Sequence, residues 1–75
     1  MRMGRPPMTS AELHFRAQFA EQLTEDLKTR GMTQKELADR LGVPATTVNQ
    51  WCKGSRVPTL FRWWQLQKAF KEVDA

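Results

Sequence analysis

The sequence predicts an all-α fold: a compact four-helix domain over residues 9–75, preceded by a flexible basic N-terminal arm over residues 1–8. Three observations carry this expectation. The same helix-start grammar occurs twice, in "MTSAEL" (Met8 to Leu13) and "MTQKEL" (Met32 to Leu37). Glycines at Gly31, Gly42 and Gly54 each follow a run with apolar residues at helical spacing. No stretch carries the period-two alternation of a half-buried strand.

The arm holds Arg2, Arg5 and the pair Pro6-Pro7 without apolar periodicity. In "MTSAEL" Thr9 can cap a helix, Glu12 can complete a capping box, and Met8 can staple against Leu13. The helix that follows is expected to reach about Arg30, with Leu13, Ala17, Ala20, Leu23 and Leu27 on its inward stripe and Phe19 at the edge. In "MTQKEL" Thr33 caps, Glu36 closes the box and Met32 staples Leu37, opening a short second helix that buries Leu37, Ala38 and Leu41. Gly42 supplies a turn needing positive φ. Pro44 presets the first turn of a third helix, which runs to Lys53 with Val48 and Trp51 inward. The loop "SRVP" then leads to a fourth helix, Thr59 to about Glu72, with Leu60, Trp63, Leu66 and Phe70 as its core stripe. Trp64 and Phe61 fall at and beyond the edge of that stripe, a surplus of aromatics that suggests a contact face.

Seventy-five residues make one domain, near the lower size limit for a core without staples. The single cysteine, Cys52, excludes an intramolecular disulfide and a cysteine-based zinc cage. No apolar run reaches membrane-spanning length, and the N-terminus lacks the hydrophobic centre of a signal peptide, so a cytoplasmic protein with no membrane partner is expected. Net charge is +4, and its placement says more than its size. Between Asp39 and Glu72 there is no acid, while that span holds the six cations Arg40, Lys53, Arg56, Arg62, Lys68 and Lys71. Such a stretch suits a polyanion, because ordinary solvated surfaces mix both signs.

"TQKELADRLGV" followed by "TVNQW", then Gly54 and Pro58, resembles the helix-turn-helix of phage repressor and Cro-type (XRE-like) regulators. The matching elements are Gln34, the Leu37-Ala38 pair, Gly42, Val48, and a Gly-x-x-x-Pro loop before "PTLFRWWQLQKAF". The resemblance runs from about Leu23 to Phe70. It implies that helix three lies in the major groove of double-stranded DNA. Ala45, Thr46, Asn49 and Gln50 would then face base edges, while Gln34, Thr47, Lys53, Ser55 and Arg56 would meet phosphate. It further implies a homodimer that represses transcription from a palindromic operator, its own promoter being one candidate, with no cofactor. Phe61 and Trp64 are the expected subunit contact, and Arg2 and Arg5 the arm's DNA contacts, since "GRPP" contains the core of minor-groove AT-hook peptides.

Three positions depart from the family pattern. Pro44 stands where many relatives place a capping Ser or Thr. Leu27 and Cys52 stand where some relatives pair a buried Arg with a Glu, so an apolar contact between helices one and three is expected. Many relatives continue beyond the position of Ala75 into a fifth helix that aids dimerisation. The rival reading is an antitoxin-like interaction module that neutralises a partner protein through helix four. Enzyme chemistry, metal sites and small-molecule ligands find no motif: His14, the only histidine, reads as a solvated helix-surface residue, and Cys52 as a packed thiol.

Overall fold

Both predicted helix starts close as reciprocal caps. The Glu12 N–H donates to Thr9 Oγ1 at 3.1 Å and the Thr9 N–H donates to Glu12 Oε1 at 3.2 Å. At the second start the Glu36 N–H donates to Thr33 Oγ1 at 3.0 Å and the Thr33 N–H donates to Glu36 Oε1 at 2.8 Å. The bond from the Thr33 backbone, then that with its side chain, holds the Glu36 carboxyl below the usual carboxylate range. These caps open two of the four helices in the computed structural model, which describes residues 9–75: α1 (Ser10–Thr29), α2 (Gln34–Leu41), α3 (Ala45–Lys53) and α4 (Leu60–Asp74). The all-α expectation holds, with no strand among the described residues. The expected arm, its Arg2 and Arg5, and the Met8 staple lie outside them.

The core joins Leu23 and Leu27 of α1, Leu37, Ala38 and Leu41 of α2, Val48 and Trp51 of α3, and Leu66, Ala69 and Phe70 of α4. Met32, Val43, Phe19 and Cys52 seal its edges. Two parts of the expected core are not there. Leu13 and Ala17 are exposed, Leu13 by 56%. At about 1.5 Å per residue, the 20-residue α1 is more than twice as long as the nine-residue α3 it packs on, so its opening turns run past the core. Leu60 is 81% and Trp63 45% exposed for the same reason, because α4 packs on the eight-residue α2 and its first turn overhangs. Ala69, small and three residues after Leu66, takes a core place instead.

Gly42 turns the chain between α2 and α3 at φ 72°, where the Val43 N–H reaches back to the Ala38 carbonyl at 3.0 Å. Gly54 ends α3 at φ 79°, and a Cβ there would sit 3.4 Å from the Arg16 carbonyl oxygen of α1. Both the backbone angle and the approach of α1 therefore call for glycine at 54.

Arg30, just past α1, ties the ends of α1 and α4 together. Its Nε and Nη2 grip Asp74 at 2.9 and 2.7 Å, its Nη1 donates to the Asp26 carbonyl at 2.9 Å, and the guanidinium lies 4.3 Å from the centre of the Phe70 ring. The hydrogen bond to Asp74 leads the effects that raise the Arg30 pKa. Cys52 is half-buried and packs on the cluster that contains Leu27. Burial pushes its thiol pKa up, against the opposing pull of Thr24 and Gln34 side chains.

Candidate nucleic-acid interface

Helices α2 and α3 are too short to stand alone, and their facing apolar residues explain how they persist. Leu37, Ala38 and Leu41 meet Val48 and Trp51, all buried. Ala38, nearly a bare methyl, lets the two backbones come close. With Val48 and Trp51 turned in, the outward stripe of α3 consists of Ala45, Thr46, Gln50 and Lys53, all exposed, and the half-buried Asn49. These residues recur at i, i+1, i+4, i+5 and i+8, one face of a helix.

That face carries a bond between its two helices. Asn49 Nδ2 donates to Gln34 Oε1 at 3.0 Å, so the first residue of α2 holds the side chain of a residue midway along α3. Thr47 is half-buried on the other side of α3. At the carboxyl end, Ser55 and Arg56 fold back onto α3: their N–H groups donate to the Gln50 carbonyl at 3.0 and 3.4 Å. Lys53, Ser55 and Arg56, all exposed, thus form one end of the stripe, and Gln34 and Thr47 flank it. At its amino end α3 begins after Pro44, which makes no side-chain cap bond. The Thr47 N–H donates to the Pro44 carbonyl at 3.0 Å, which leaves the N–H groups of Ala45 and Thr46 for an acceptor outside the helix.

Two arginines behave in ways the linear pattern could not indicate. Arg16 of α1 donates from Nη1 to the Ser55 carbonyl at 2.6 Å, latching the loop that follows α3. Its partner is 39 residues away, and nothing local in the sequence marks the pairing. Arg62, one of the six cations of the acid-free stretch, donates from Nη1 to the Leu41 carbonyl at 3.0 Å and to Gln65 Oε1 at 2.7 Å. It satisfies the end of α2 and braces α4, so its charge is engaged inside the protein.

Phe61 and Trp64 form an exposed stacked pair, ring centres 6.3 Å apart and 22° between planes. Arg62 lies over the Phe61 ring at 5.6 Å and Lys68 over the Trp64 ring at 5.2 Å. His14 is exposed on α1. No helix among the described residues is long and apolar enough to cross a membrane.

A short helix bracing a second one, whose polar outer face ends in cations, defines a helix-turn-helix. A family model described as helix-turn-helix matches residues 23–75. The chain belongs to the XRE-type helix-turn-helix family of DNA-binding transcription regulators. Comparison with curated proteins and with solved structures gave no match.

Proposed function

We propose that the chain is a repressor that binds a palindromic operator as a homodimer, with α3 of each copy in the major groove. The observation that carries this reading is the outer stripe of α3, short uncharged hydrogen-bonding and methyl groups ending in Lys53 and the adjacent Arg56. Phosphates are met by Gln34, Thr47, Lys53, Ser55 and Arg56, which set the register on the duplex without reading sequence. Bases are met by Ala45, Thr46, Asn49 and Gln50. None of these four is Arg or Lys, so the strongest guanine reader, a cation bidentate to O6 and N7, is missing from the centre of the face. Gln50 matches the N7 acceptor and N6 donor of adenine, and the methyls of Ala45 and Thr46 match the thymine C5-methyl. Asn49, with one amide hydrogen held by Gln34, turns its carbonyl and remaining N–H to a second base. Each half-site then has an A·T-rich core. Arg2 and Arg5 extend the contact into the neighbouring minor groove. A dimer bound across a promoter excludes other proteins from it, which is repression.

The test is selection of duplexes from a random pool, followed by sequencing. Two inverted half-sites about one helical turn apart, each with an A·T core, are expected. Half-sites whose fixed positions are all G·C, or binding indifferent to sequence, would refute the reading of the α3 face.

A second reading has its own observation, the exposed Phe61–Trp64 stack. An antitoxin-like chain would use it to hold a partner protein. Replacing both aromatics by alanine would then abolish partner capture and leave affinity for the selected duplex unchanged.

A further inference from the structure

The overhang of α4 leaves an apolar groove of about 490 Å³ on the side of the molecule formed by α1 and the loop after α3. Phe15, Phe19, Val57, Pro58, Leu60 and Trp63 line it, and no charged residue does. Phe15 is 57% exposed, beside the still more exposed Leu60 and the half-exposed Trp63. Taking ~150–250 Å² for each aromatic side chain, these exposures leave roughly 400 Å² of apolar surface in one face. A patch of roughly that size is about the largest a typical monomer exposes, and such patches are often functional.

We infer that this groove is the self-association face, and that its occupant is the same groove of a second copy; the inference deepens the dimeric reading above and rests on it. Area is the first argument. A standard interface covers about 800 Å² per partner and is a little over half apolar. A patch of roughly 400 Å² with a polar rim has that composition. Charge is the second argument. A two-fold contact sets a surface against itself, so its rim must carry both signs. Glu12 and Arg16 border the groove where Phe15 meets Val57, and Glu21 and Glu25 border it beyond Phe19. Acids of one α1 can therefore face Arg16 of the other. Position is the third. The groove includes Val57 and Pro58, in the loop that leaves α3, so the contact would hold the two recognition helices through a short, Arg16-latched connection.

Sedimentation over a concentration series, without DNA, tests the assignment on the full chain and on Leu60→Asp, Phe15→Glu and Trp64→Glu. Leu60 is the first residue of α4, where an aspartate favours the helix dipole, so Leu60→Asp removes the apolar contact without weakening the helix. The full chain and Trp64→Glu should dimerise. Leu60→Asp and Phe15→Glu should sediment as monomers with unchanged helical circular dichroism. Dimers of both groove variants, a monomeric Trp64→Glu, or a full chain that stays monomeric would each overturn the assignment. So would a chain lacking residues 1–8 that is monomeric while Leu60→Asp still dimerises, since that moves the contact to the amino-terminal segment. Monomeric Leu60→Asp should still bind a selected half-site as one protomer of the full chain does. Loss of all duplex binding by the full chain would instead refute the DNA reading and leave the sedimentation result standing.

Discussion

The Asn49–Gln34 bond fixes one side chain of the proposed recognition face by means of another. A solvated asparagine samples several orientations, whereas Asn49 is pinned by a 3.0 Å bond across the helix pair. Replacing Gln34 by alanine should therefore weaken base preference at the Asn49 position as well as one phosphate contact. A double-mutant cycle of Gln34→Ala with Asn49→Ala should show coupling of about 0.5 kcal/mol or more in binding. Gln50 is exposed, and under the proposed reading it meets its base without such a brace. Gln50→Ala should cost ~1–3 kcal/mol at one base position and relax preference there only, as measured on single-substitution operator variants. Cys52 gives a prediction in pH. Its folded pKa is raised by burial, so the thiol stays protonated where an unfolded thiol, with pKa about 8.5, ionises. Its contribution to stability is complete below that value and is lost as pH rises through the folded pKa. Alkylation at neutral pH should accordingly be slower than for a free thiol, and Cys52→Ala should flatten the alkaline fall in melting temperature.

At the scale of elements, each helix is held by what lies across from it. Helix α1 meets α3 through Leu23, Leu27 and the edge residue Cys52, without the buried ion pair that some relatives carry there. Leu27→Arg would bury an unpaired charge and should cost on the order of 3–5 kcal/mol in urea unfolding, by analogy with broken buried pairs. Adding Cys52→Glu should recover part of that loss. A double variant no more stable than the single one would mean that residues 27 and 52 do not communicate. Helix α4 depends on α2, and Arg62 is the tie between them.

Charge acts at the scale of the whole molecule. If about four cations of each protomer touch phosphate, a dimer releases counterions from ~8 sites, and log K should fall with log salt at a slope of about −7. Lys53→Ala and Arg56→Ala should each flatten the slope by about one per subunit and weaken all duplexes alike. Arg62→Ala should behave differently. Its guanidinium serves the Leu41 carbonyl and Gln65, so the variant should unfold more easily while keeping its salt slope. An Arg62 variant with normal stability and a flattened slope would mean that Arg62 meets phosphate.

What the sequence by itself determined is local. Thr9 with Glu12, and Thr33 with Glu36, start helices because each box is complete within four residues. Gly42 and Gly54 end α2 and α3 because tolerance of positive φ is a property of the residue. The α2–α3 core pattern was legible too, since Leu37, Ala38, Leu41, Val48 and Trp51 lie close in sequence and face each other across one turn. Only the tertiary structure decided which stripes are covered. Leu13, Leu60 and Trp63 have the spacing of core residues, yet burial depends on the length of the opposing helix, which no periodicity encodes. It also decided which polar groups are engaged. Arg16 with Ser55, Arg30 with Asp74, and Asn49 with Gln34 pair across 39, 44 and 15 residues, and such pairs exist only once the chain has closed on itself.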